Sequence, residues 1–285
     1  MDRLASASST ALERSCFPQC AAAVGLHVGF GACHLLQSEV ADLVEGANPN
    51  RSCDLAFGSL PLAWPGMDAE VFLDASRRVP PPLPTTWLWA IIETILGAVL
   101  LWVVARSVPQ GEPLLGGWLG MLGLILLLHF GSFQIVGLLW QRFGVNAKSI
   151  MSAPLRSTSL GEFWGKRWNL GFRQLAHELI FRPLHRSLGA GAAGFLVFVA
   201  SGLIHDLVIS LPARAGYGLP TAYFVLQGAG MTIEHSSFGK RLGLGYGVLG
   251  WLFMALFVAG PAFWLFHPWF VLRVIPPFMQ AIHAL

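Results

Sequence analysis

AGAAGFLVFVASGLIHDLVISL, running from Ala190 to Leu211, decides how this chain folds. The stretch is apolar almost throughout. Wound as a helix at 1.5 Å per residue it reaches about 33 Å, enough to cross the hydrocarbon core of a bilayer. His205 and Asp206 interrupt it near its end. An ionisable group inside a membrane helix is costly, so it is a functional candidate by default. A neutral imidazole is the cheaper of the two to bury, and its ordinary pKa near 6.5 suits a general base. The competing reading is a structural histidine hydrogen-bonded between helices. Asp206 follows directly and cannot share the helical face of His205. It is expected near the far interface or paired with another element.

The rest of the composition agrees with a membrane setting. Apolar residues make up 54% of the 285 and charged residues only 12%, about half the charge that a soluble domain uses to cover its exterior. The net charge of +3 is too small to imply a nucleic-acid partner. The four cysteines, Cys16, Cys20, Cys33 and Cys53, all precede the apolar segments. The C-x3-C pair has no downstream partner pair to complete a zinc site, so unpaired thiols in a reducing compartment are expected.

Further spans are expected at Thr86–Ala105, Leu114–Trp140, Pro220–Ile233, Tyr246–Phe266 and Trp269–Leu285, the last weakened by Pro276 and Pro277. Residues 1–85 carry most of the acidic residues and a proline run. They are expected to be largely non-spanning and cytosolic, with room for one short membrane helix near 21–36. Between Gln141 and Gly189 lie Arg142, Lys148, Arg156, Lys166, Arg167, Arg173, Arg182 and Arg186, against only Glu162 and Glu178. By the positive-inside rule this stretch is cytosolic, and Arg77, Arg78, Lys240 and Arg241 fall on the same side. One membrane domain over 86–285 is the simplest organisation.

Within the basic stretch stands Ser159-Leu-Gly-Glu-Phe-Trp-Gly-Lys-Arg-Trp-Asn-Leu170. Tryptophans and cations at an interface commonly do no more than anchor helices at headgroup level. The functional alternative is that the cations engage the phosphates of an anionic cosubstrate. Asn169 needs partners where interface meets apolar interior, and its amide can donate to a developing oxyanion. Glu93, His129, Gln134, Gln227, Glu234 and His235 are further polar residues in or near spans. Singly they suit helix-to-helix hydrogen bonding; joined with His205 as a proton relay they would suit a transporter. Hydrolase-elbow, nucleotide-loop and zinc-protease motifs are missing from the sequence.

Asn169 in Phe163-Trp164-Gly165-Lys166-Arg167-Trp168-Asn169, followed 36 positions on (205 − 169) by His205 in Ser201-Gly-Leu-Ile-His, resembles the membrane-bound O-acyltransferase superfamily. The wording of the first motif, with Phe181-Arg182-Pro183-Leu184 between the two, is similar to its wax synthase branch. The resemblance covers roughly 85–285 and is strongest from 155 to 210. It implies an all-α polytopic bundle of about 6–8 membrane helices around an intramembrane reaction chamber. It also implies acyl-CoA as cosubstrate, a lipophilic alcohol as acceptor, and no metal or other cofactor. His205 is then the catalytic base and Asn169 its companion, with Phe163, Trp164, Lys166, Arg167 and Trp168 expected at the cosubstrate entrance. Wax ester synthesis is the leading expectation, and short-chain transfer to a sterol, terpenoid or other secondary metabolite the alternative. Either a bacterial inner membrane or the endoplasmic reticulum would serve.

Overall fold

A computed structural model describes residues 80–285. The cysteines, the short helix expected near 21–36 and nearly all of the segment 1–85 lie outside them. Among the described residues every regular element is helical. Four helices are long and apolar enough to cross a membrane.

The first two, α1 (Pro84–Ser107) and α2 (Pro113–Arg142), begin within two residues of expectation. Each starts on a proline, which fits the first turn because an amide there has no partner to lose. Glycine lets them pack at close range: a methyl group at Gly97 would fall 2.5 Å from the Leu127 nitrogen, and one at Gly131 would strike Thr94. Their outer faces show Leu88, Ile95, Val103 and Leu122, as lipid-facing helices do.

The motif Ser159–Leu170 folds as a short helix, α3 (Leu160–Glu162), running into a π turn (Phe163–Arg167). Next comes α4 (Leu170–Ala213), whose continuity is broken at Gly189, with φ 78° and ψ 166°. That conformation belongs almost to glycine alone. The break divides the basic, exposed part of α4 from the part that spans. From Ala190 to Ala213 the helix is about 36 Å long, which matches the span expected from the opening stretch. A further π turn, Asp206–Ser210, begins at the residue after His205.

Helix α5 (Leu219–His235) packs along the spanning part of α4. At about 25 Å it is shorter than the hydrocarbon core. A brief α6 (Ser237–Arg241) leads to α7 (Gly247–Ala259), which with the turn Ala262–Leu265 completes the fourth span. The last expected span does not form. Trp269–Leu285 is broken into α8 (Pro268–Arg273) and α9 (Ile275–Ala281), because Pro276 and Pro277 cannot continue a preceding helix. Both pieces instead pack against α2: Met279, fully buried, meets Gly120, and Val271 lies against Gly117. Six spans were expected where four helices reach full length among the described residues.

Candidate functional site

The motif segment is held from three directions. Ser159 caps it, its Oγ accepting from the Glu162 amide at 2.9 Å, the serine half of a capping box. The carboxylate of Glu234, buried near the end of α5, accepts from the amides of Leu160 (2.5 Å) and Gly161 (3.1 Å). An anion at a helix start is favourable, and here it also satisfies amides that lack intrahelical partners. On the third side the extended residues before the motif pair with it, Ser152 N donating to Arg167 O and Leu170 N to Ile150 O.

Asn169 lies just past the π turn in the left-handed region (φ 42°, ψ 63°), which asparagine tolerates better than most residues. Its Oδ1 accepts from the Phe172 amide at 3.2 Å and caps the start of α4. The carbonyl side of the carboxamide is thereby committed. The NH2 side makes no hydrogen bond among the described residues and keeps both donors.

His205 ends the α-helical part of α4. Its Nδ1 lies 2.7 Å from the carbonyl oxygen of Ser201. A carbonyl can only accept, so Nδ1 carries the proton and Nε2 keeps its lone pair. Phe224 of α5 covers the ring at a centroid distance of 4.4 Å. Phe224 in turn meets Trp164 at 5.7 Å, and Trp164 meets Trp168 at 6.5 Å, beside Asn169. The two motifs therefore meet through an aromatic wall, with no hydrogen bond between Asn169 and His205.

The five residues expected at the cosubstrate entrance separate into different roles. Lys166 is exposed and has no ion pair among the described residues. Arg167 is occupied: its Nε and one terminal nitrogen donate to Glu162 Oε1 at 2.8 and 2.6 Å, and the other to Ser152 O at 3.1 Å. Phe163 is buried against Leu160 and Met254 and stacks on Trp168 at 5.4 Å. Trp164 donates to Gln227 Oε1 at 3.4 Å, and Gln227 donates to Phe257 O at 2.6 Å. Phe163 and Arg167 thus shape the segment from behind, while Lys166 presents itself outward.

By sequence, Gln227 and Glu234 suit no more than helix-to-helix bonding. The structure gives both to the motif segment, from positions 63 and 74 residues downstream of their partners. Gln134 is joined to Ser149. No hydrogen-bonded chain among the described residues links His129, His205 and Glu234 into a relay.

The glycines of α4 also part company. A methyl group at Gly202 would fall 2.7 Å from Thr221 Cα, so this one permits close packing on α5. Gly191 and Gly194 face open space. Gly191, with Ala192, Phe195, Leu196, Ala229, Thr232 and Ile233, lines an apolar groove of about 680 Å³. At 100° per residue the groove side of α4 stands roughly 110° round the helix from His205. The groove is on the back of the α4–α5 pair, away from the imidazole.

Residues 147–226, which hold both motifs and Phe224, match the Membrane bound O-acyl transferase family. The chain is 33% identical over 131 residues to a probable long-chain-alcohol O-fatty-acyltransferase 7 of Arabidopsis thaliana, covering 40% of this chain and 38% of that one. It is 29% identical over 100 residues to the long-chain-alcohol O-fatty-acyltransferase of Simmondsia chinensis, 32% of this chain and 28% of that one. It is 28% identical over 127 residues to an acyl-CoA–sterol O-acyltransferase 1 of Arabidopsis thaliana, 41% and 37%. These matches span less than half the length of each of those three relatives.

Proposed function

We propose that this chain, whose residues 147–226 match the Membrane bound O-acyl transferase family, moves an acyl group from acyl-CoA to the hydroxyl of a lipophilic alcohol, with His205 as the base. The observation that carries the reading is the contact between His205 Nδ1 and Ser201 O, which selects the tautomer. Its Nδ1–H is bound to Ser201 O at 2.7 Å, so the free lone pair is on Nε2, with Phe224 against the ring. A base needs that arrangement before substrate arrives.

Nε2 takes the proton of the acceptor hydroxyl as its oxygen attacks the thioester carbonyl. The carbonyl becomes a tetrahedral oxyanion, stabilised by the unengaged NH2 of Asn169. The carbonyl reforms, the C–S bond breaks, and the imidazolium returns the proton to the departing CoA thiolate. A positioned base contributes about 10²–10⁴-fold, and one oxyanion donor about 3–4 kcal/mol. Water must be kept from the thioester during transfer, since it would compete as acceptor. Lys166 receives the cosubstrate's phosphates at the basic, cytosolic end.

The acceptor we favour is a long-chain alcohol, giving a wax ester, because most of the relatives above are named for that transfer. A sterol is the second reading, supported by the sterol acyltransferase at similar identity. The membrane is a bacterial inner membrane or the endoplasmic reticulum.

The test supplies purified protein with radiolabelled acyl-CoA of two chain lengths and a panel of alcohols and sterols. Wild-type protein should form labelled ester, and His205→Ala should abolish it while the protein stays folded. Asn169→Ala should lower kcat more than it raises KM. Undiminished turnover in His205→Ala removes the base assignment. Label confined to sterol ester moves the acceptor to the second reading, and no ester from any pair rejects acyl transfer.

A further inference from the structure

Asp206, the neighbour of the proposed base, gathers four donors from other parts of the chain. Ser210 Oγ donates to its Oδ1 at 2.9 Å and Gly218 N to the same oxygen at 2.8 Å. Thr221 N donates to Oδ2 at 3.2 Å, and the Thr221 hydroxyl donates to Oδ2 as well. Gly218 and Thr221 are the N-cap and third residue of α5. The Leu219 amide turns to Gly216 O and Pro220 has no amide hydrogen. The carboxylate of Asp206 thus takes up the two remaining amides at the start of α5, and it is an anion at a helix N-terminus.

Behind Ser210 stands fully buried His267, whose Nε2 lies 3.3 Å from Ser210 Oγ. Asp206, Ser210 and His267 have the residue types of a hydrolytic triad, but their protons run the wrong way. His267 Nδ1 accepts from the Phe270 amide at 3.1 Å, so the proton of the neutral ring is on Nε2 and is donated to Ser210. Ser210 passes its own proton to Asp206. A serine that donates to a carboxylate and receives from an imidazole is not being activated. The chain of bonds fastens α4, α5 and α8 together.

The fastening has a direction. Asp206 fixes Thr221; one turn further along α5 is Phe224, the ring that lies 4.4 Å from His205. The absence of a side chain at Gly202 allows α4 and α5 to come together at Thr221. We propose that Asp206 is a positioning residue: by holding the first turn of α5 it sets Phe224 against His205, and so fixes where Nε2 points. The proposal rests on the reading of His205 as base. Ring orientation matters because displacement of a catalytic group by about 1 Å costs on the order of 10²-fold.

The experiment is a double-mutant cycle on the full chain in detergent, with palmitoyl-CoA and hexadecanol, and with His205→Ala as blank. Asp206→Asn keeps the size but presents an amide where a donor now points, and should lower kcat about tenfold at unchanged KM. Phe224→Leu should lower kcat several-fold. The double variant should be no slower than Asp206→Asn alone, because both changes release the same ring. Thr221→Ser should keep wild-type kcat and Thr221→Val should lose part of it, which keeps the test open should Asp206→Asn fail to fold. Multiplied losses in the double variant, or wild-type kcat in Asp206→Asn, would overturn the proposal. A wild-type protein without ester formation refutes the acyl-transfer reading instead. Positioning is then read from the rate at which diethylpyrocarbonate modifies the His205 peptide: a changed rate in Asp206→Asn supports it and an unchanged rate rejects it.

Discussion

Arg167 and Lys166 are adjacent cations with different work. The guanidinium fork of Arg167 reaches Glu162 with two nitrogens and Ser152 O with a third, a geometry that a lysine ammonium cannot copy. The carboxyl of Glu162 is held below the usual carboxylate range, first by the Thr158 amide and then by Arg167, against the opposing effect of desolvation. Arg167→Lys should therefore lower the melting temperature, by no more than about 1 kcal/mol of stability since the pair is partly exposed, and leave KM for acyl-CoA unchanged. Lys166→Ala should raise that KM several-fold and leave melting unchanged. If Arg167→Lys raised KM and left melting alone, the division of labour would be reversed. From the sequence both looked alike, because a pattern of charges does not say which cation already has an anion beside it. Asn169 was legible as the odd polar residue of its motif. Its left-handed backbone and cap were not, since they depend on the π turn before it.

At the scale of elements, apolar length told most of the story. The spans beginning near Thr86, Leu114, Ala190 and Tyr246 form as full-length helices, because in a bilayer continuous apolar length and internal hydrogen bonding leave few alternatives. The basic stretch up to Gly189 was also readable as separate from the span after it, and the backbone of Gly189 makes the division. Alanine at this position has open space around it but must adopt φ 78°. Gly189→Ala should cost roughly 1–3 kcal/mol, measurable as a lower midpoint of denaturant unfolding; an unchanged midpoint would mean that the two parts of α4 tolerate being joined as one rod. The last segment differs: Pro276 and Pro277, expected only to weaken a span, break it in two, and what hydropathy could not show is that small residues on α2 receive the pieces.

In the whole molecule, contacts between distant parts of the chain hold what hydropathy could not assign: Glu234 to the start of the motif segment, and Asp206 and His267 across α4, α5 and α8. A one-dimensional pattern marks such residues as costly without naming their partners. His267 supplies a test at this scale. Burial pushes its imidazole below its usual range, against the pull of the Asp206 charge. The unfolded chain then binds the proton more readily than the folded one, so stability is full above about pH 6.5 and declines as pH falls below it. His267→Asn can still cap α8 and does not titrate. Melting of wild-type protein should fall between pH 7 and 5.5 more steeply than that of His267→Asn, and parallel curves would place the sensitivity elsewhere. The π turn at Asp206–Ser210 carries a last consequence, for evolution. It holds one residue more than an α-helical turn would, so a single deletion there would relax it to a plain α-helix and leave everything beyond in nearly the same phase. The same deletion in the regular helix between Ala190 and His205 would swing everything beyond by about 100°. Descendants of this gene should therefore tolerate the loss of one residue within 206–210 more readily than a loss anywhere between 190 and 205.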